Sequence, residues 1–138
     1  MSAADCVFCK IVAGDIPCHR VFESERVLAF LDIHPLSEGH TVVIPKDHAE
    51  RLDTLAPADA AAIAAELGDL GKRICAAVAA DGYNVLQNNG AVSGQVVPHV
   101  HFHIIPRRAN DGLGYRWNAR TASNEQLGAL TARINTRG

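Results

Sequence analysis

The stretch "PHVHFHIIPRR", Pro98 to Arg108, sets histidines at alternate positions, His99, His101 and His103, with Val100, Phe102 and Ile104 between them. Imidazole is a nucleophile when neutral, a proton donor when charged and a ligand for metals. The row is therefore open to three uses: a metal ladder, a catalytic strand, or polar side chains on a wet strand face. Alternate side chains of a strand share a face, about 6.6 Å apart along its axis. Val100, Phe102 and Ile104 are then expected toward the core and the three histidines together on the opposite face. Neighbours in the row can converge on one ligand, but His99 and His103 lie roughly 13 Å apart at Cα on that geometry and cannot easily hold one ion. The row serves at least two purposes or none. Three successive choices of a residue that occurs seven times in the chain argue against a merely wet face.

"CVFC" places Cys6 and Cys9 two residues apart. Two thiolates at this spacing, joined by imidazoles, are the ligand types of a closed tetrahedral zinc site. A redox pair is the other use of the motif, but no strand precedes it as a thioredoxin-like context requires. Among the histidines, His48 follows a strand end in "PKDH" and His99 is the row member nearest the loop, so both are candidates to close on the pair. Spacing alone leaves that set open. Cys18 and Cys75 stand alone and read as small core or surface residues.

The elements that must position these residues follow from the rest of the chain. Its 138 residues, 48% hydrophobic and 20% charged, suit one soluble globular domain, 1–138, large enough for a core without disulfides. A net charge of −2 gives no general attraction to nucleic acid or anionic membranes, and Arg107, Arg108, Arg116 and Arg120 read as a solvated rim. No N-terminal leader pattern or membrane-length apolar run is seen, so the expected location is cytoplasmic. "CVFCKIVAGDIP" should be a turn or short helix. Arg20 to Glu23 and Val27 to Asp32 read as two strands across a polar turn, and Thr41 to Ile44 as a third that stops at Pro45. From Pro57 to Ala80, Ile63, Leu67, Leu70, Ile74 and Val78 form one stripe on a long helix, with Pro57 in its first turn and Gly82 as its stop. Gly68 and Gly71 inside it predict close packing there. Tyr83 to Gln87 returns to strand, "QVVPHVHFHIIP" reads as another, and Ser123 with Gln126 forms a capping box for a C-terminal helix. Strands, helix, strands, helix make an α+β domain with a mainly antiparallel sheet.

The row His99 to Ile105, with "NNGAVSGQ" (Asn88 to Gln95), "FLDIHPLSEGHTVVIPKDH" (Phe30 to His48) and the opening "CVFCKIVAGDIP", resembles the histidine-triad (HIT) family, in its Hint-like branch. The likeness covers about residues 6–108; the variable loop and C-terminal helix of 109–138 fall outside it. It implies a HIT-like fold, with a five-stranded antiparallel sheet and a dimer that continues the sheet. The implied activity is a purine nucleoside phosphoramidase or nucleotidyl hydrolase working through a covalent nucleotidyl-histidine. Alternatives are a dinucleoside polyphosphate hydrolase and a nucleotide-binding regulatory module with little turnover. By the same match His101 attacks the α-phosphorus, His103 contacts the phosphate, and Gln95 meets the non-bridging oxygens or the leaving group. Asp32 binds the ribose hydroxyls and Asn88 lies near phosphate or ribose. Phe8, Ile11, Ile16, Phe30 and Ile33 form an apolar slot for the base. The implied zinc is structural, held by Cys6, Cys9, His48 and His99, and no organic cofactor is expected.

Val96 departs from the family pattern, since several members carry Ser or Thr there. Protonation of the leaving group then falls to His103 or water. His34 and "GLGYRW", Gly112 to Trp117, are not explained by the motif; Trp117 either covers the substrate entrance or packs on the surface.

Overall fold

The two most continuous apolar runs become the central part of the sheet. A computed structural model of the chain describes residues 3–114 and 118–136. Five strands, β1 (Arg20–Glu23), β2 (Val27–Leu31), β3 (Thr41–Pro45), β4 (Gly82–Gln87) and β5 (Phe102–Arg107), pair antiparallel in the order β1-β2-β3-β5-β4. Three helices accompany them: α1 (Val7–Ala13), α2 (Pro57–Val78) and α3 (Asn124–Asn135). The expected α+β class and antiparallel five-stranded sheet are borne out.

β2 and β3 lack polar–apolar alternation because both faces are covered. On one face Val27, Ala29, Val43 and Ile104 pack with Val100, Leu55 and the α2 residues Ile63, Leu70 and Ile74. On the other, Leu28, Phe30, Val42 and Ile44 meet Cys6, Phe8 and Ile11 from the α1 region. Each fully buried aliphatic side chain contributes roughly 1.5–3 kcal/mol, so these two layers hold the sheet rigid beneath the histidines. β4 lies at the sheet edge and exposes Tyr83, Val85 and Leu86.

α2 starts at Pro57 as the sequence predicts, but its stop is Ala79, which takes a left-handed conformation with φ +56°; Gly82 instead opens β4. Gly71 does mark a close approach, since a Cβ there would run into the Tyr83 ring, whereas Gly68 faces open space. α3 begins at the predicted capping box of Ser123 and Gln126 and buries none of its residues. Arg116 and Trp117 lie outside the described residues.

The largest departure concerns the histidine strand. The expected strand over Gln95 to Pro106 pairs only from Phe102. Continuing the register past Val43 and Phe102 would bring Pro45, which has no N–H, opposite Val100. Val100 N–H donates instead to Ala49 O at 2.8 Å, and Pro98 has no donor of its own. Side-chain alternation persists through this unpaired stretch. Val100 and Ile104 enter the α2-side core, and His99 and His101 go to the opposite side, where α1 buries them. That face is not wet.

Candidate functional site

The α1 turn is built by its own cysteine. Cys6 is the N-cap, its Sγ accepting the Cys9 N–H at 3.4 Å, and Gly14 ends the helix in a left-handed conformation. This turn aims both sulfurs at two imidazoles: Cys6 Sγ lies 3.3 Å from His99 Nδ1, Cys9 Sγ 3.4 Å from His48 Nδ1, and the two Nδ1 atoms lie 3.1 Å apart. These spacings approach the edges of a tetrahedron around an ion bonded at about 2.0–2.3 Å. His99 Nε2 donates to Pro45 O at 2.9 Å, which leaves its Nδ1 a bare lone pair facing the sulfurs and His48. Burial, with Cys6 beside it, pushes the Cys9 thiol up to about 11, so without a cation Cys9 would stay protonated. The donor set fits a metal ion, and Cys6, Cys9, His48 and His99 are the residues that would hold it. With all four positions filled by protein the site is closed, so a metal there would be structural.

The second cluster is different in kind. His101 Nδ1 donates to the His99 carbonyl at 2.7 Å, so in the neutral ring Nε2 is a bare nucleophilic nitrogen. His101 is 6% exposed, and burial lowers its pKa, so the ring is neutral at pH 7. His103 is 5.0 Å away between ring centroids; burial first, then His101 and His40, hold its pKa down to about 4.

Behind His103 stands a residue that the sequence did not single out. His40, nearly buried, has Nε2 2.9 Å from His103 Nδ1. Leu36 N–H donates to His40 Nδ1 at 3.0 Å, so the proton of neutral His40 sits on Nε2 and is donated to His103. His103 in turn carries its own proton on Nε2. Asp32 follows β2; its Oδ1 accepts the His34 N–H at 2.8 Å and its Oδ2 lies 3.6 Å from His40 Nε2. Asp32, His40 and His103 have the spacing of a metal triad. Their protons argue otherwise: a metal at His40 Nε2 would force the ring proton onto Nδ1, against the Leu36 N–H.

The apolar residues divide. Phe8 sits edge-on to Phe30, His99 and His101, with centroids 5.7, 5.7 and 5.2 Å away. Phe8, Ile11 and Phe30 are buried core, Ile16 packs partly exposed beside them, and Ile33 is 77% exposed and stands apart. Asn88 is half-buried beside Gly94. Gln95 is held by its loop: Oε1 accepts Gly90 N–H at 2.6 Å, and Nε2 donates to Glu50 O and Val97 O. The structure therefore brings together His99, His101, His103, Phe8 and Phe30, and directs the Gln95 amide to the loop backbone.

A buried nucleophilic imidazole beside a second, oriented imidazole, on a sheet of this topology, is the histidine-triad arrangement. The HIT domain model matches residues 13–110, and the chain belongs to that family. Among its relatives is a Schizosaccharomyces pombe protein named adenosine 5'-monophosphoramidase hnt1. The two are 46% identical over 133 residues, covering 96% of this chain and 97% of the relative. An Arabidopsis thaliana protein named adenylylsulfatase HINT3 is 44% identical over 109 residues, covering 79% of this chain and 55% of the relative. The crystal structure of a zinc-bound histidine triad family protein from Mycobacterium smegmatis matches at 40% identity with a TM-score of 0.72, covering 98% of this chain and 99% of that one.

Proposed function

We propose that this protein is a purine nucleoside phosphoramidase, a nucleotidyl hydrolase that works through a covalent nucleotidyl-His101 intermediate. The observation that carries the reading is the 2.7 Å bond from His101 Nδ1 to the His99 carbonyl, which leaves Nε2 bare. That lone pair attacks the α-phosphorus and the bond to the leaving group breaks. The His99 carbonyl stabilises the imidazolium that forms. His103, its Nε2–H fixed by His40, donates to the phosphate oxygens or to a departing amine. Water then cleaves the His101–phosphorus bond and releases the nucleoside monophosphate. Relatives named adenosine 5'-monophosphoramidase support this substrate class.

Asp32 takes the ribose hydroxyls through the carboxylate oxygen facing His40, and Asn88 lies toward phosphate or ribose. Ile16 and the exposed Ile33 contact the base, with Phe8, Ile11 and Phe30 as the floor beneath it. Gln95 acts by holding the loop that faces the phosphate. The metal of the closed site is zinc, and its role is to pin α1 behind the catalytic row. A second copy pairs along β4, where Tyr83, Val85 and Leu86 are exposed, so that two sheets become one. Among the described residues no helix is long and apolar enough to cross a membrane, in keeping with work in the cytoplasm.

Quenching the protein during turnover of an adenosine phosphoramidate should trap an AMP-sized mass adduct on His101. His101→Ala should bind AMP yet turn nothing over. Full activity in that variant would overturn the mechanism.

A further inference from the structure

We propose that Arg51 selects substrates whose leaving group departs as an oxyanion such as sulfate over those that release a neutral amine. This rests on the reading of His101 as the nucleophile. Segment 49–52 is bonded to the catalytic stretch at three points. Val100 N–H, next to His101, donates to Ala49 O at 2.8 Å, Gln95 Nε2 to Glu50 O at 2.6 Å, and Leu52 N–H to Asn89 Oδ1 at 2.7 Å. Arg51 is thereby held between the histidine row and the 88–97 loop. Its guanidinium lies over Gly90: a Cβ on that glycine would be 3.0 Å from Nη2 and 3.3 Å from Cζ. Gly90, at φ +93°, leaves the space that the cation occupies. Arg51 enters none of the ion pairs formed among the described residues.

The rest of this rim suits the same choice. Val92 and Val96 are almost wholly exposed and have no proton to give. The single proton of the Ser93 hydroxyl is already shared between the Asn89 and Gly90 carbonyls. A departing amine needs a proton as the P–N electron pair leaves; a sulfate needs none. With a mixed anhydride of phosphate and sulfate, His101 Nε2 forms the N–P bond and the P–O bond to sulfate breaks. Its electron pair stays on the sulfate oxygen, whose charge Arg51 meets. Water then cleaves the His101–phosphorus bond and one proton passes to solvent. Planar guanidinium with its fork of donors is well suited to such an oxyanion.

The test compares adenosine 5'-phosphosulfate with the unsubstituted adenosine 5'-phosphoramidate. Arg51→Ala should lower kcat/KM for the phosphosulfate by roughly tenfold and leave the phosphoramidate within about twofold. Arg51→Lys should restore most of the loss, Arg51→Glu should deepen it, and 0.5 M salt, an order of magnitude chosen to shrink the screening length to about 4 Å, should narrow the wild-type preference. Equal losses on both substrates, or none on either, overturn the role of Arg51 while leaving the nucleophile in place. A folded wild-type protein that turns over neither substrate and forms no adduct on His101 overturns the mechanism and this inference together.

Discussion

Two histidine clusters share one short segment of chain and differ in what lies between their nitrogens. At His48 and His99 two Nδ1 atoms face each other at 3.1 Å with two thiols alongside, and the Pro45 carbonyl accepts the Nε2–H of His99. At His40 and His103 a similar separation of 2.9 Å holds a proton, because the Leu36 N–H fixes it on His40 Nε2. Nearly equal nitrogen–nitrogen distances therefore suit a metal ion in one place and hold a hydrogen bond in the other. The backbone group on the far side of each ring makes the difference.

The contrast is sharpest if one cluster can be lost without the other. Cys6→Ser should bring the largest change: bound metal falls from near one equivalent toward none, and stability drops by about 3 kcal/mol or more. Metal analysis and denaturant melts would check this, and full metal retention would remove the cation from the comparison. His40→Ala should leave metal content unchanged and lower kcat about 10- to 100-fold, the range for losing an orienting partner of an active imidazole. It should also move the acid limb of the pH profile upward, because His40 is among the causes that lower the His103 pKa. A profile that does not move would make His40 merely structural.

A third check is pH. In the unfolded chain His103 takes a proton below about its ordinary 6.5, and in the folded chain only near 4. The unfolded state therefore binds more protons between those values. The contribution of His103 is present above 6.5 and is lost as pH falls through the window. Melts of metal-loaded protein at pH 7, 6 and 5 should show progressive loss, and His103→Phe should flatten that slope. The smallest expected effect belongs to Phe8→Leu, since this ring touches His99 and His101 alike. About 1 kcal/mol of stability and a few-fold of kcat should go together. A change in only one of them would show that Phe8 serves a single cluster.

Much of this was legible in the sequence wherever one local rule decides. Pro57 and a five-residue stripe define α2, and Ser123 with Gln126 starts α3. The apolar runs of β2 and β3 read as strands, because both their faces are covered. The paired part of β5 could not be delimited from its alternation, because pairing ends where Pro45 on another strand lacks an N–H. The Cys pair announces metal chemistry by residue type, and strand ends offer His48 and His99 as candidates, but only the family likeness singles out these partners 39 and 90 residues beyond Cys9. His40 went unnoticed: a single histidine before "TVVIP" looks like any strand entrance, and its role depends on a neighbour 63 residues away. Gln95 is matched to the phosphate oxygens or the leaving group only through the family likeness, and the bonds of its amide to Gly90, Glu50 and Val97 depend on backbone groups that no local pattern displays.

The carbonyl that orients His101 belongs to His99, a residue whose ring is in the other cluster. Every amino acid placed at position 99 would bring that carbonyl with it. A scan of side chains would thus score the position for its ring alone and miss its second duty. An amide-to-ester exchange between His99 and Val100 would reach it, weakening the acceptor and sparing the imidazole while also removing the Val100 N–H that donates to Ala49 O. On the proposed mechanism, part of the catalytic apparatus is written in the main chain, where genetic substitution cannot read it.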